Sequence, residues 1–525
     1  MRRNIELKLR KVLGVASIGF VGVFAAACTD DFETMNKSKT ALVELTPAEY
    51  PKLFSQALSQ GSYHPSYQTA TNLFADLYAQ YFATTTANFQ SDRYFTNMSW
   101  INSHWNPIYI QVVPQLRTLF ENSDPNSAEY SLASIWWVFS FHRVTDYYGP
   151  IPYFDAGIPA QSVKYDAQDV IYDDFFKRLD AAVTILKGKT AEKPFGAGDI
   201  IYSGDVNKWI KFANTLRLRL ALRISKVDPA RAKKEAEAAV AGGVLTSATE
   251  DAMMVRTAVS SADANGLSRI AAWGEFRMSA TMESILKGYK DPRMEVFFQP
   301  SFSTKTYEGL RNGLNPAQLI EPLNTNDNNS NIGARWVRNT GTGSGWENIL
   351  AVKADIMHAG ESYFLRSEGA LNGWNMGGTA KELYEDGIRQ SMATWGYSGS
   401  VVEAYISGTT PPIAPGDSQN SPAVSNIPVK WGATEAIQRE QVGTQKWLAL
   451  YPDGLEAWAE FRRSLYPKLY HVVNSVNPDV PVTQFIRRFP FIDSEKQNNA
   501  AAVTAAMQLL KGEDKASTPL WWDKN

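Results

Sequence analysis

Cysteine is almost missing from this chain: Cys28 is the only one in 525 residues. Internal disulfides, thiolate metal centres and dithiol redox chemistry are thereby excluded. Histidine is nearly as scarce, at His64, His104, His142, His358 and His471. No two of these stand in the His-Glu-x-x-His spacing that sets two imidazoles on one helix face. Neither sign of charge is in excess, since 52 Lys and Arg against 54 Asp and Glu leave a net charge of −2. The basic field that nucleic acid requires is absent. There is no Gly-x-Ser-x-Gly elbow. Lys187-Gly188-Lys189-Thr190 imitates the end of a phosphate loop, but Val183 stands where the leading glycine belongs, so it reads as a helix end. Asp327 to Gly333 resembles part of a calcium loop with Ile332 at the required glycine. A structural calcium ion is the only cofactor the sequence raises, and no cofactor is expected. Among carboxylates, Asp173 and Asp174 adjoin and so point apart on a helix. Glu456 and Glu460 stand beside Arg462-Arg463 and read as ion-pair partners rather than a glycosidase acid and nucleophile. No enzyme is expected.

Long apolar runs are also lacking, except near the start. Arg2, Arg3, Lys8, Arg10 and Lys11 precede the apolar stretch Val12 to Ala27, which is too short and glycine-rich for a comfortable membrane span. It ends in Ala25-Ala26-Ala27-Cys28, the pattern of a lipobox. Residues 1–27 are expected to be a lipoprotein signal peptide, Cys28 the acylated (palmitate-bearing) new terminus, and 28–45 a polar tether. Cleavage would take five basic residues and Glu6 with it, moving the formal charge from −2 to −6.

What is abundant is helical periodicity and aromatic surface. Apolar residues make up 44% and aromatics 12%, with 15 tryptophans. Thr46, Pro47 and Glu49 form a helix-start signature. Apolar spacing of three and four predicts helices over Asn72–Phe82, Ser131–Tyr148, Asp169–Lys187, Val206–Ser225 with Asp205 as cap, and an alanine-rich stretch from Asp228-Pro229 to Gly242. Ala272–Leu286 reads as one helix. From Ile356 to Trp374 and from Ala380 to Trp395 two helices face each other across Asn375-Met376-Gly377-Gly378. Further helices are expected over Lys446–Tyr451 and Gly454–Arg463. Connections this short make neighbours antiparallel, and the pairing of large rings against alanine and glycine is of the tetratricopeptide type. The expectation is a mostly α fold of at least three such helix pairs over residues 46–525. Loop-rich insertions fall at about 260–348 and 397–430.

The run AGESYFLRSEGALNGW, Ala359 to Trp374, resembles a segment of the SusD/RagB family of Bacteroidetes outer-membrane nutrient-binding lipoproteins. Similar matches, to its second SusD-like subgroup, are Asp146–Tyr153, Trp209–Arg219, Tyr289–Arg293, Lys446–Trp458 with Phe461-Arg462-Arg463, and Leu520–Asp523. The acidic Thr29-Asp30-Asp31-Phe32-Glu33 resembles the export tag of surface lipoproteins in these bacteria. The resemblance implies a SusD-like helical domain, lipid-anchored in the outer membrane and facing the exterior. It also implies nutrient uptake with a SusC-like TonB-dependent β-barrel transporter as partner. Capture of glycans or oligosaccharides is the expected function; a RagB-like oligopeptide lid and, less favoured, a surface glycosidase are the alternatives.

Sugar binding needs ring faces beside hydrogen-bonding groups. The segment 83–106 has that texture, which makes Arg93, Tyr94, Trp100 and Asn102 candidates. In the 260–348 insertion Tyr307, Trp336 and Trp346 join them. Trp521 and Trp522 read instead as buried packing.

Overall fold

The computed structural model describes residues 46–340 and 345–525. The expected signal peptide, Cys28, the export tag and the tether lie outside them. Thr46 and Glu49 form the expected capping box, with Glu49 accepting from the Thr46 amide at 3.1 Å and its hydroxyl at 2.6 Å. The unit discussed below is Pro51–Asn525.

It begins with α1 (Tyr50–Gly61) and the π-wound α2 (Gln68–Asp76). Strand β1 (Phe82–Thr84), α3 (Met98–Asn106) and α4 (Val113–Asn122) follow. Then come two helix hairpins, α5 (Ala128–Tyr148) with α6 (Gln168–Leu186), and α7 (Val206–Arg223) with α8 (Pro229–Gly242). Their starts are chemically marked. Ser127 accepts from the Tyr130 amide, Asp205 from Lys208, and Asp228 from Arg231 just after Pro229 takes the first helical position. Helix α5 is buried on all sides from Ser131 to Tyr148, packed between α4, α6, α7 and the later helix Gly454–Ser464.

The insertion carries β2 (Ala252–Met254), α9 (Gly266–Ala271), β3 (Phe276–Met278), α10 (Ala280–Tyr289), β4 (Val337–Asn339), β5 (Trp346–Asn348) and β6 (Ala354–Met357). The third hairpin is α11 (Ala359–Leu371) with α12 (Ala380–Thr394). After α13 (Ser400–Ile406) and an irregular stretch, α14 (Glu435–Leu450), α15 (Gly454–Ser464) and α16 (Ala500–Leu510) complete the order. The strands form three antiparallel pairs, β1–β3, β2–β6 and β4–β5.

Three helices are shorter than their periodicity implied. Phe82 belongs to β1, and the helix expected over 72–82 runs instead from Gln68 to Asp76. Ile356 lies in β6, because β2 offers it a ladder; Asp251 then accepts from the Ala359 amide at 2.7 Å and starts α11 from outside the helix. The stretch 272–286 breaks at Gly274, whose φ of +73° disfavours other residues. It continues as β3, and α10 starts only where Ser279 caps Met282.

The hairpins are joined at their centre by buried ions. Arg219 of α7 grips Glu361 of α11 with two bonds of 2.6 Å. One turn on, Arg223 reaches Glu456 of α15 and lies 3.4 Å from Asp146 of α5. Asp146 also accepts from Tyr172 at 2.7 Å and Trp522 at 2.8 Å. Lys446 of α14 bridges Glu368 (2.7 Å) and Glu460 (2.6 Å), which Arg463 also holds. Asp291 and Arg293 pair within a third cluster, where Arg293 reaches Ser391 at 2.7 Å and Gln445 at 3.1 Å. Opposing guanidinium and ammonium groups outweigh burial and keep Glu460 far below the usual carboxylate range. Asp173 pairs with Arg231, while Asp174 accepts from Tyr153 and Arg178, so the two do point apart but are less solvated than expected.

Candidate functional site

Strand β1 runs out beside the turn that precedes β3. The Thr85 amide donates to the Glu275 carbonyl at 3.1 Å and its hydroxyl to the Gly274 carbonyl at 2.6 Å. That turn carries Trp273, which is 50% exposed and the most exposed large aromatic of the described residues. Asn348 of β5 ties the turn from the other side: its side chain accepts from the Ala272 amide (2.9 Å) and donates to the Arg269 carbonyl (2.8 Å). Trp346, two residues earlier, lies on the same strand face as Asn348 and is half-buried. The polar run also packs here, since a Cβ on Gly274 would meet the Asn326 amide at 3.3 Å.

From the turn a polar bridge leads to α3. Gln68 donates to the Glu275 carboxylate at 2.7 Å, and the neighbouring Thr69 donates to Ser103 at 2.7 Å. Ser103 and Trp100 are three apart on α3 and share its face. Trp100 is half-buried, with Phe89 edge-on at 5.7 Å. These bonds tie together the three segments that carry Trp100 (α3), Trp273 (the turn before β3) and Trp346 (β5). Burial raises the Glu275 carboxyl somewhat, against the pull of the Gln68 bond. Ring faces beside amide, hydroxyl and carboxylate oxygens suit a neutral, hydroxyl-rich ligand.

Of the seven expected ligand residues, two share this face: Trp100 and Trp346. Tyr94 is 2% exposed, set edge-on to Tyr78, so it packs the core. Trp336 is fully enclosed, with rings of Trp395 and Tyr451 about 6 Å away and the Arg335 guanidinium over it. Neither is a platform for a ligand. Asn102 sits two residues from Trp100, about 200° round the helix, and so faces the other way. Tyr307 has Glu295 and Tyr397 as its charged and phenolic neighbours. Arg93 is half-buried, and its carbonyl accepts from the Val476 amide at 2.9 Å. Trp273 was missed because helical spacing continues across it; the one available signal was the glycine that follows. Gln68 and Glu275 carried no sequence signal.

Glu456 and Glu460 lie inside the buried ion clusters, away from this face. Among the described residues no three His, Cys, Asp or Glu side chains converge as a metal would require. Nor, among them, is any helix long and apolar enough to cross a membrane.

A frame of tetratricopeptide-like hairpins locked by buried ions, with partly exposed tryptophans on α3, the turn before β3 and β5, defines a class of helical binding proteins. The chain belongs to the SusD-like family, described as Susd and RagB outer membrane lipoproteins, whose family model matches residues 28–523. Among solved structures, it is similar to a chitin-binding SusD homologue from Flavobacterium johnsoniae. The two are 34% identical, the match covers 90% of this chain and 99% of that one, and the TM-score is 0.81. A SusD-like protein from Bacteroides thetaiotaomicron VPI-5482 is 31% identical over 90% and 99% of the two chains, with a TM-score of 0.79. A SusD homologue from Bacteroides uniformis ATCC 8492 is 30% identical over 92% and 100%, with the same TM-score. No curated protein matches the chain.

Proposed function

We propose that the protein captures glycan at the cell surface, anchored through lipid on Cys28, and passes it to a SusC-like TonB-dependent β-barrel over which it sits as a lid. One observation carries this reading: exposed Trp273 stands on a turn that Gln68 and Thr69 bridge to the helix of Trp100, and that Asn348 ties to the strand of Trp346. Ring faces would cover the apolar face of a sugar while the amide and carboxylate meet its hydroxyl rim. The chitin-binding relative supports a glycan over an oligopeptide. The place of Glu456 and Glu460 inside ion clusters supports binding rather than hydrolysis, which calls for two carboxylates flanking the bond. Ligand would favour the closed lid by making contacts with the barrel that exist only when it is shut.

The test is affinity electrophoresis and calorimetry on the detergent-solubilised chain, with chitin oligosaccharides, other glycans and mixed peptides. Glycan retention, weakened at least about tenfold in Trp273→Ala, is the expected result. The exposed half of a tryptophan is about 125 Å², and a sugar on one face covers about half of that, worth ~1.5 kcal/mol. Binding of peptides alone, or glycan affinity untouched by Trp273→Ala and Trp100→Ala, would refute it.

A further inference from the structure

Far from the aromatic face in the fold, where α7, α11, α14 and α15 end or cross, lies a cavity of about 230 Å³. Its walls include Lys226, Arg439, Arg463, Glu368 and the ring of Tyr466. Gly443 lets that ring close down, because a Cβ there would collide with the Tyr466 side chain. Glu368 and Glu460 match Lys446 and Arg463, and Glu435 matches Arg439, which leaves Lys226, among the described residues, as the cation without a carboxylate. Glu368, the one carboxylate on the wall, is already held by Lys446 and Arg463 at 2.7 Å each. Arg439 is paired to Glu435 at 2.7 Å and donates to Asn372 at 3.0 Å. Lys226, at the rim, makes no ion pair with any described residue; its ammonium meets only the Asn525 side-chain oxygen, at 2.5 Å.

Helix carbonyls do not account for this surplus charge. The Asn525 amide caps α15 by donating to the Arg462 and Arg463 carbonyls at 2.5 and 2.8 Å. Arg439 lies 3.4 Å from the Leu371 carbonyl at the end of α11. Burial, with the nearby Arg463 charge, brings the Lys226 amine below its usual value against the opposing pull of Glu368, Asp523 and Glu460. A negative group entering the cavity would give Lys226 the partner it lacks.

We propose that this cavity is a carboxylate site, sized for one ring-bearing acid such as a uronic acid, with Lys226 as its unpaired cation and Tyr466 against the ring. Such a carboxylate could come from an acidic sugar or from an acidic side chain of a partner protein; the chemistry is shared. The site shares no residue with the aromatic face and does not depend on the reading given to it.

The experiment is calorimetry on the full-length chain in detergent, with glucuronate, glucose and N-acetylglutamate as probes. Glucuronate should bind and glucose should not. Affinity should fall about tenfold in Lys226→Met, return in Lys226→Arg, and weaken between about 0.05 and 0.5 M salt. Trp273→Ala should leave it unchanged. A preference for N-acetylglutamate would support the site and assign it to a protein carboxylate. Equal binding of glucuronate and glucose, no binding of either acid, or an unaltered affinity in Lys226→Met would overturn it.

Discussion

Replacing Glu361 by Gln should be among the most damaging single changes in this frame, although it alters no shape. The Glu361 carboxylate takes two hydrogen bonds of 2.6 Å from Arg219, and the two side chains are 2% and 1% exposed. Glutamine keeps the volume but leaves the guanidinium charge in the core. Glu456 compensates only in part, because its nearer oxygen lies 3.7 Å from Arg219, beyond hydrogen-bond reach, and Arg223 holds the other. Breaking one side of a buried pair costs ~3–5 kcal/mol. An unfolding entropy of ~2.1 cal/mol/K per residue gives about 1 kcal/mol/K over Pro51–Asn525, so Tm should drop by about 3–5 °C. Scanning calorimetry and urea titration of wild type and Glu361→Gln measure this. The double variant Arg219→Met/Glu361→Leu removes both charges and should recover most of the loss. The reasoning fails if Glu361→Gln lies within about 0.5 kcal/mol of wild type, or if the double variant is no better than the single.

Trp336→Ala should cost ~3–5 kcal/mol through the cavity it leaves, with glycan affinity of the folded protein unchanged, whereas Trp273→Ala should do the reverse; unfolding and titration of both variants check the contrast. Burial opposes a charge on His358, but Asp251 and Asp355 outweigh it and push the imidazole up to about 9. The unfolded value is about 6.5, so this contribution is complete below about pH 6.5 and is lost as pH rises through about 9. Stability measured across pH 6–9.5 should therefore fall less steeply in His358→Gln, and an unchanged slope would contradict the assignment.

How much of this was legible follows from what each residue answers to. Asp205 and Asp228 act on amides three residues away, so their caps could be read from spacing alone. The stretches that resemble the family contain Asp146, Arg219, Asp291, Arg293, Glu361, Glu368, Lys446, Glu456 and Arg463, all members of the buried ion clusters. They identify the frame and say nothing of the ligand. Only Glu456 and Glu460 were read as ion-pair partners beforehand. The site was less legible because a polar-aromatic texture does not record which way a ring points. Trp336 and Trp346 stand in the same insertion, yet three aromatic or guanidinium neighbours enclose the first while a short hairpin leaves the second half open. At Trp273, a turn imposed by β1–β3 pairing overrode a helical pattern.

The long reach of the ion clusters bears on the order in which the chain can fold. Arg223 meets Glu456 across 233 positions, and Trp522 meets Asp146 across 376. A partly delivered chain, ending before Gly454, would hold Asp146 and Arg223 with neither Glu456 nor Trp522 to receive them. Within the first two hairpins Arg223 and Tyr172 can meet Asp146, but the cluster is completed only when the last stretch brings Glu456 and Trp522. For a protein that must be exported before it works, this delays closure of the core until after passage, and a chain caught midway remains unfolded enough to continue.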